Sequence, residues 1–366
     1  MRINRIALNG FRNYDFETAD FSPGTNVIYG ENAQGKTNLL ESVYMLAMGR
    51  SFRTRFDREL IGFGCDSAEI LADVVSHGRE QTVRILLRSG VRKQITVNSV
   101  KKTASELGET LNVVLFCPDD LNLIKEGAAA RRRLMDNAIS QIRPRYAEYL
   151  SQFNKFYESK TRILKDWREK PSLLDTLDEF SDGMCRSSAQ LIRYRASFAA
   201  RLADEAAPIH SEFSGADEKL GIEYSTVSAV KDPTASAKEI FYDLCDHMEA
   251  HRRAELDSGQ CLSGAHKDDL IISINGKNAR SFASQGQTRT AALSIKLAER
   301  EIYLDETGEY PILLLDDVLS ELDTKRQEFV LNRIGGGQTL ITCCEDEGIS
   351  RRTGGKVLHV GNGRIG

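Results

Sequence analysis

Residues Gly30-Glu31-Asn32-Ala33-Gln34-Gly35-Lys36-Thr37 carry the spacing GxxxxGK[ST]. The chemistry of that spacing is to wrap a phosphate chain. Its glycines let backbone N–H groups curl around a β-phosphate, and the positive end of a following helix points at the same anion. Lys36 is placed to reach β/γ oxygens, and the Thr37 hydroxyl is a hard oxygen of the kind that ligates Mg2+. The alternative is a chance glycine turn. The flanks argue against it: a strand-like run at 26–29 leads into the loop and an apolar helical stretch at 36–47 leaves it, which is the context the motif requires.

A second group of chemical residues follows the apolar run Ile312–Leu315. Asp316 stands where phosphate-loop proteins hold Mg2+ at the end of a buried strand, and Asp317 could polarise an attacking water as a general base. Without the phosphate loop the pair would read as an acidic turn. Ser320-Glu321-Leu322-Asp323 comes next. Upstream, Ser284-Gln285-Gly286-Gln287 precedes a predicted helix over 288–303. A polar, glycine-containing turn at a helix N-terminus is a second place for an anion, although a simple helix cap has the same composition.

Two arginine clusters could track phosphates: Arg50, Arg53, Arg55 and Arg58, and the triplet Arg131, Arg132 and Arg133. Arg53, Arg55 and the triplet are the candidate DNA contacts. Such runs also occur as solvated faces, and the triplet, followed by apolar Leu134 and Met135, could equally cap a helix. The net charge of −4 hides an uneven spread, since residues 125–205 carry 16 Lys/Arg against 12 Asp/Glu.

The elements that must position these groups read as α/β, then helical, then α/β. Strands are predicted at 3–8, 26–29, 69–75, 82–88, 94–98, 113–116, 270–274 and 339–342, with an apolar run suited to a buried parallel strand at 312–315. Apolar residues 139, 142, 146, 149, 153 and 156 recur at helical spacing within a helical region spanning 131–253. The expected organisation is a head of residues 1–125 and 260–366, split by a helical arm of residues 126–259. A length of 366 residues suits two cores, and 41% hydrophobic with 28% charged residues is ordinary for a soluble protein. No stretch approaches a membrane span and residues 1–13 lack an apolar leader core, so a cytoplasmic location is expected. The seven cysteines form no CxxC pair, and His247 with His251 lacks a third ligand nearby, so neither a disulfide framework nor a zinc site is expected.

Taken together these pieces resemble the ABC ATPase set: Walker A at Gly30–Thr37, a signature segment at Ser284–Gln287, Walker B at residues 312–317, and a D-loop ending on Asp323. The resemblance implies ATP and Mg2+ as cofactors, with Lys36, Asp316 and Asp317 carrying the chemistry. It also implies that the signature of one copy caps the γ-phosphate held by a second, which makes an ATP-dependent homodimer. The wide gap between the first motif and the signature is similar to the DNA-repair and chromosome-maintenance branch, where an arm is inserted at that point, and not to transporters.

Within that branch, Phe11-Arg12-Asn13-Tyr14, Gly49-Arg50-Ser51-Phe52-Arg53-Thr54, Phe116-Cys117-Pro118-Asp119-Asp120-Leu121, Arg132-Arg133-Leu134-Met135-Asp136 and Gly264-Ala265-His266-Lys267-Asp268-Asp269-Leu270 resemble the RecF family of bacterial recombination mediators. The family would place Arg12 near the nucleotide and a Q-loop at 116–121. It implies binding to gapped or junction DNA, cooperation with RecO and RecR to load RecA, and slow hydrolysis for release. Another reading is a clamp that uses ATP only to hold its dimer. The chain departs from the pattern at Thr288 and Lys267, and Cys343 stands where transporters carry a switch histidine.

Overall fold

The computed structural model describes residues 1–344 and 348–366. In chain order the first elements are β1 (Arg2–Phe11), β2 (Tyr14–Asp20), β3 (Thr25–Tyr29), α1 (Lys36–Met48), β4 (Ser67–Ser76), β5 (Arg79–Arg88), β6 (Val91–Val97), β7 (Val100–Lys102) and β8 (Val113–Phe116). Next come α2 (Ala128–Ile142), α3 (Pro144–Asp166), α4 (Leu177–Ser214), β9 (Leu220–Ser225), α5 (Ala237–Ala250), α6 (Arg252–Ser258), β10 (Asp269–Ile274), β11 (Lys277–Asn278) and α7 (Ala279–Phe282). The chain then runs through α8 (Gln285–Thr307), β12 (Ile312–Leu315), α9 (Thr324–Arg333), β13 (Thr339–Cys343), α10 (Ile349–Thr353), β14 (Lys356–Gly361) and β15 (Arg364–Ile365).

The chain divides into one unit of residues 1–122 and 289–366 and another of residues 123–288. The second unit therefore runs on to Thr288, beyond the arm boundary at 259 that the sequence suggests. In the first unit, an antiparallel sheet of order β2-β1-β4-β5-β6-β7 and a sheet of order β15-β14-β3-β13-β12-β8 share one core. From β14 to β8 the second sheet is parallel. The α1 helix contacts strands of both sheets and is apolar on nearly every face, as a helix buried between two layers must be. All four residues of β12 are buried, which explains why that strand shows an unbroken apolar run instead of alternation.

Sequence patterning misses β2, β14 and β15. Phe16 of β2 faces solvent beside exposed Asp15 while Glu17 and Thr18 are partly covered, so no clean period of two survives. The second unit is also less purely helical than its periodicity predicts. It holds a three-stranded antiparallel sheet of order β11-β10-β9, with β9 in the stretch 215–230 that lacks any recognisable motif. The apolar repeat from 139 to 156 is divided between two helices because Pro144 opens α3, where its missing N–H costs nothing. Tyr146 and Phe153 are buried as the spacing requires. Gly183 of α4 lets that helix approach closely, since a Cβ there would sit 2.5 Å from the Phe156 ring. No helix among the described residues is long and apolar enough to cross a membrane.

Candidate functional site

The turn between β3 and α1 is built by two glycines with left-handed backbone. Gly30 has φ +153 and a Cβ there would lie 2.1 Å from the Val360 carbonyl oxygen. Gly35 has φ +127, and its Cβ would lie 2.8 Å from the Tyr14 hydroxyl. The loop is braced from outside by residues of the β1–β2 turn and the C-terminal hairpin. The Tyr14 hydroxyl donates to the Gly35 carbonyl at 2.9 Å, the Asn13 amide donates to the Gln34 carbonyl at 2.8 Å, and Asn362 N–H donates to Gln34 Oε1 at 2.6 Å. Burial pushes the Tyr14 phenol up, so it stays a donor. Glu31, Asn32 and Ala33 face solvent, and Ala33 has φ +65.

Inside the loop, Lys36 is 4% exposed and its Nζ donates to the carbonyls of Gly30 at 2.6 Å and Glu31 at 3.0 Å. Its ammonium is thus held within the turn. Thr37 Oγ1 donates to Asp316 Oδ1 at 2.9 Å, across 279 positions of sequence. The parallel register of β12, β13 and β3 makes this meeting possible. Thr342 at the end of β13 completes the group: its hydroxyl donates to Asp316 Oδ1 at 3.0 Å and accepts the Asp317 N–H at 2.8 Å. Burial pushes the Asp316 carboxyl upward, opposed by the hydroxyl donors of Thr37 and Thr342. Asp317 sits in left-handed backbone at φ +51, and its Oδ1 is a buried oxygen without a hydrogen-bond partner among the described residues. A hydroxyl and a carboxylate side by side form a donor set that fits Mg2+. Asp323 caps α9 by accepting the Arg326 N–H at 3.0 Å.

Arg12, expected near the nucleotide, is committed to the same helix. Its Nε and Nη2 donate to the two oxygens of Glu41 at 2.8 Å each, and Nη1 donates to the Glu59 carbonyl at 2.8 Å. Glu41 is fully buried one helical turn beyond Thr37 and also accepts from the Ser51 hydroxyl. Arg53 lies 3.7 Å from Glu41 and donates to Asn38 Oδ1 at 2.8 Å, so the loop that begins at Arg50 is tied to the phosphate-loop helix. Arg50, Arg55 and Arg58 are exposed there, with Phe56 at 56% and Phe63 at 108% exposure beside them. The Arg58 guanidinium lies over the Phe56 ring at 5.2 Å. Reading by motif misses Glu41 and Thr342. The signals available were an acid spaced four residues from Thr37 and a polar residue closing an apolar strand.

The position of the transporter switch histidine has no such residue. Cys343 is buried at the end of β13, whereas the exposed Cys344 approaches Asn32 of the loop, with Sγ 3.0 Å from Oδ1. The next three residues lie outside the described ones.

The signature segment belongs to the second unit. Ser284 precedes α8, and the helix begins three residues earlier than its apolar pattern indicates. The Gln287 N–H donates to Ser284 Oγ at 3.2 Å, and the Ser284 N–H donates to Gln287 Oε1 at 2.9 Å, a reciprocal cap. Ser284 and Gln285 are exposed, and Gly286 and Gln287 are half-buried.

Within the arginine triplet, the burial of Arg131 departs from the expectation of a phosphate-facing side chain. Arg131 is 3% exposed, pairs with Asp269 at 2.6 and 2.9 Å, and donates to the carbonyls of Leu123, Ile124 and Glu126. Those partners engage all three of its nitrogens, so it sits as a core residue. Arg132 donates to the Asp268 carbonyl at 2.7 Å, and Arg133 is exposed. The segment 264–270 has the same structural character. Asp268 is fully buried and accepts from Arg195, Tyr224 and Thr226. His247 and His251 stack with ring centroids 4.0 Å apart, and no group of three metal-binding side chains occurs among the described residues.

Known proteins resemble the chain along nearly its whole length. The family described as "RecF/RecN/SMC N terminal domain" matches residues 2–354. A DNA replication and repair protein RecF of Acetivibrio thermocellus is 40% identical over 362 residues, covering 98% of both chains. One from Listeria monocytogenes is 41% identical over 360 residues, covering 96% of this chain and 95% of the relative. A solved structure of the recombination mediator protein RecF with ATPrS, assigned to the RecFOR pathway, superposes with a TM-score of 0.92 at 34% identity, covering 100% of this chain and 97% of its own. An Smc head domain from Pyrococcus furiosus shares the fold, with a TM-score of 0.57 at 17% identity, covering 99% of this chain and 94% of its own.

Proposed function

The chain belongs to the RecF family of DNA replication and repair proteins, and on that premise we propose that it is an ATP-driven switch that closes as a dimer on DNA. The observation that carries this reading is the 2.9 Å hydrogen bond between Thr37 and Asp316, which joins the phosphate loop to the acidic strand end. Residues 30–37 would bind ATP, with Lys36 neutralising its β/γ oxygens. Thr37 and Asp316 would hold Mg2+, which when bound screens the phosphate charge. Asp317, with its partnerless buried oxygen, would orient or deprotonate the attacking water. The product of that step is ADP and phosphate, so hydrolysis undoes the closed state.

Ser284 and the N-terminus of α8 would serve the nucleotide held by the partner copy, giving an isologous dimer with two composite sites. DNA would lie along the loop 50–63, where Arg50, Arg53, Arg55 and Arg58 can follow phosphates and Phe56 and Phe63 offer stacking surfaces to unpaired bases. This combination favours gapped or junction DNA, in which duplex and single strand meet. Recombination mediators of this family imply RecR and RecO as partners, with RecA loading as the outcome.

The test compares two variants by filter binding and turnover. Lys36→Ala is expected to lose ATP binding and, with it, DNA retention. Asp317→Asn is expected to keep ATP binding while turnover drops by roughly 10²–10⁴-fold. Unchanged ATP affinity in Lys36→Ala counts against the nucleotide site, and unchanged turnover in Asp317→Asn removes Asp317 from the chemistry.

A further inference from the structure

The turn that closes α4 carries no motif, yet it ends beside the signature segment. Gly215 and Ala216 take left-handed backbone at φ +70 and +68, and the Ala216 N–H returns to the Ser211 carbonyl at 2.8 Å. On its other side the turn is stitched to the β10–β11 connection: Lys219 N–H donates to Asn275 Oδ1 at 2.8 Å, and Asn275 N–H donates to the Lys219 carbonyl at 2.9 Å. Glu218 is therefore fixed from both directions. Its side chain is 20% exposed, and its two oxygens have different partners. Gln287 Nε2 donates to Oε1 at 2.8 Å, and His210 Nε2, on a fully buried ring, lies 3.1 Å from Oε2.

The polarities close without conflict. A carboxylate accepts from both sides, so the Gln287 amide must turn its NH2 toward Glu218 and its carbonyl toward the Ser284 N–H. That orientation completes the reciprocal cap, in which Ser284 Oγ uses a lone pair for the Gln287 N–H and keeps its O–H to donate outward. Burial lowers the pKa of His210, in keeping with a neutral ring whose Nε2–H donates to the carboxylate.

We infer that Glu218, backed by His210, is a positioning residue for the signature segment, orienting the Gln287 amide so that Ser284 and the first turn of α8 face the anion they serve. This rests on the signature reading proposed above. Glu218 acts through Gln287. Losing it frees the Gln287 amide to rotate, which removes the bond that aims Ser284.

The experiment is sedimentation of the full chain with ATP, alongside ATP titration at protein concentrations where it is monomeric. Glu218→Ala is expected to weaken ATP-dependent association about tenfold per site, the loss expected for one hydrogen bond to a charged group, while monomer affinity for ATP stays at the parent value. Glu218→Gln should recover part of the association, because its carbonyl can still accept from Gln287 once the neutral His210 ring takes the Nδ1–H tautomer and accepts from the new NH2. Gln287→Glu sets a carboxylate against that of Glu218 and should lose association even if Glu218→Ala fails to fold. The swapped pair Glu218→Gln with Gln287→Glu should restore it, since the donor and acceptor have only changed sides. A purely structural role would not produce that rescue. Parent-like association of Glu218→Ala, or failure of the swap to rescue Gln287→Glu, overturns the inference. Ser284→Arg runs in parallel. If it too associates normally, the signature reading itself has failed; if it alone is defective, only the role of Glu218 has.

Discussion

Replacing Glu41 with alanine removes the anion around which the first unit organises Arg12, Ser51 and Arg53. The carboxylate is fully buried, and Arg12 places two N–H groups on it at 2.8 Å while its own side chain is 19% exposed. Breaking a buried ion pair by deleting one partner costs about 3–5 kcal/mol, because the remaining charge is left desolvated. Arg12 keeps its bond to the Glu59 carbonyl and some access to water, which places the cost near the lower end, about 3 kcal/mol. Arg53 adds little, since its side chain is 46% exposed and its distance is 3.7 Å. In a unit of about 200 residues, each kcal/mol lowers Tm by roughly 2–4 °C, so a fall of about 6–12 °C is expected. The assay is differential scanning calorimetry without nucleotide, because the single tryptophan, Trp167, reports on the other unit. Glu41→Gln should fall in between, as its carbonyl still accepts one bond without the charge. A Tm for Glu41→Ala within 2 °C of the parent would refute the buried-anchor argument.

Three further outcomes are expected. Arg131→Ala should destabilise the second unit by about 3 kcal/mol or more while the salt dependence of DNA binding keeps its slope; a shallower slope would mean that Arg131 contacts phosphate after all. Arg53→Ala with Arg55→Ala should instead flatten that slope by about 0.7–0.9 per lost contact, and Phe63→Ala should weaken gapped DNA more than duplex. Equal losses on the two DNAs would remove stacking from the account. His266 is held down to about 4 by burial against an ordinary value of 6.5. The unfolded chain therefore binds the extra proton first, so stability present above pH 6.5 is lost as pH falls toward 4, by at most about 3 kcal/mol. His266→Phe should flatten this acid limb of the urea-unfolding profile, and an unchanged limb would show that the histidine does not set it.

Much of the site was legible because its chemistry is local. The phosphate loop needs glycines at fixed positions before a helix, and β12 is buried on both faces, so each appears as contiguous sequence. What was hidden depends on long-range pairing. Thr342 matters because parallel register carries it to Asp316, and Glu41 matters because Arg12 comes to it from another strand end. Charge alone misplaces Arg131: it stands in a run of three arginines, but Asp269, 138 positions away, takes it into the core. The helical pattern of the arm likewise concealed β9, whose pairing with β10 is set by the chain on the far side of α5 and α6.

The claim on which the rest depends is that ATP closes two copies through the phosphate loop of one and Ser284 of the other. Sedimentation of the parent chain with ATP, with ADP and without nucleotide, each with and without gapped duplex, tests it directly. The account predicts monomers with ADP or no nucleotide, dimers with ATP, and a further shift toward dimer on gapped DNA. Ser284→Arg should remain monomeric with ATP bound. A parent chain that stays monomeric at saturating ATP on gapped DNA, or a Ser284→Arg variant that dimerises as the parent does, would contradict it.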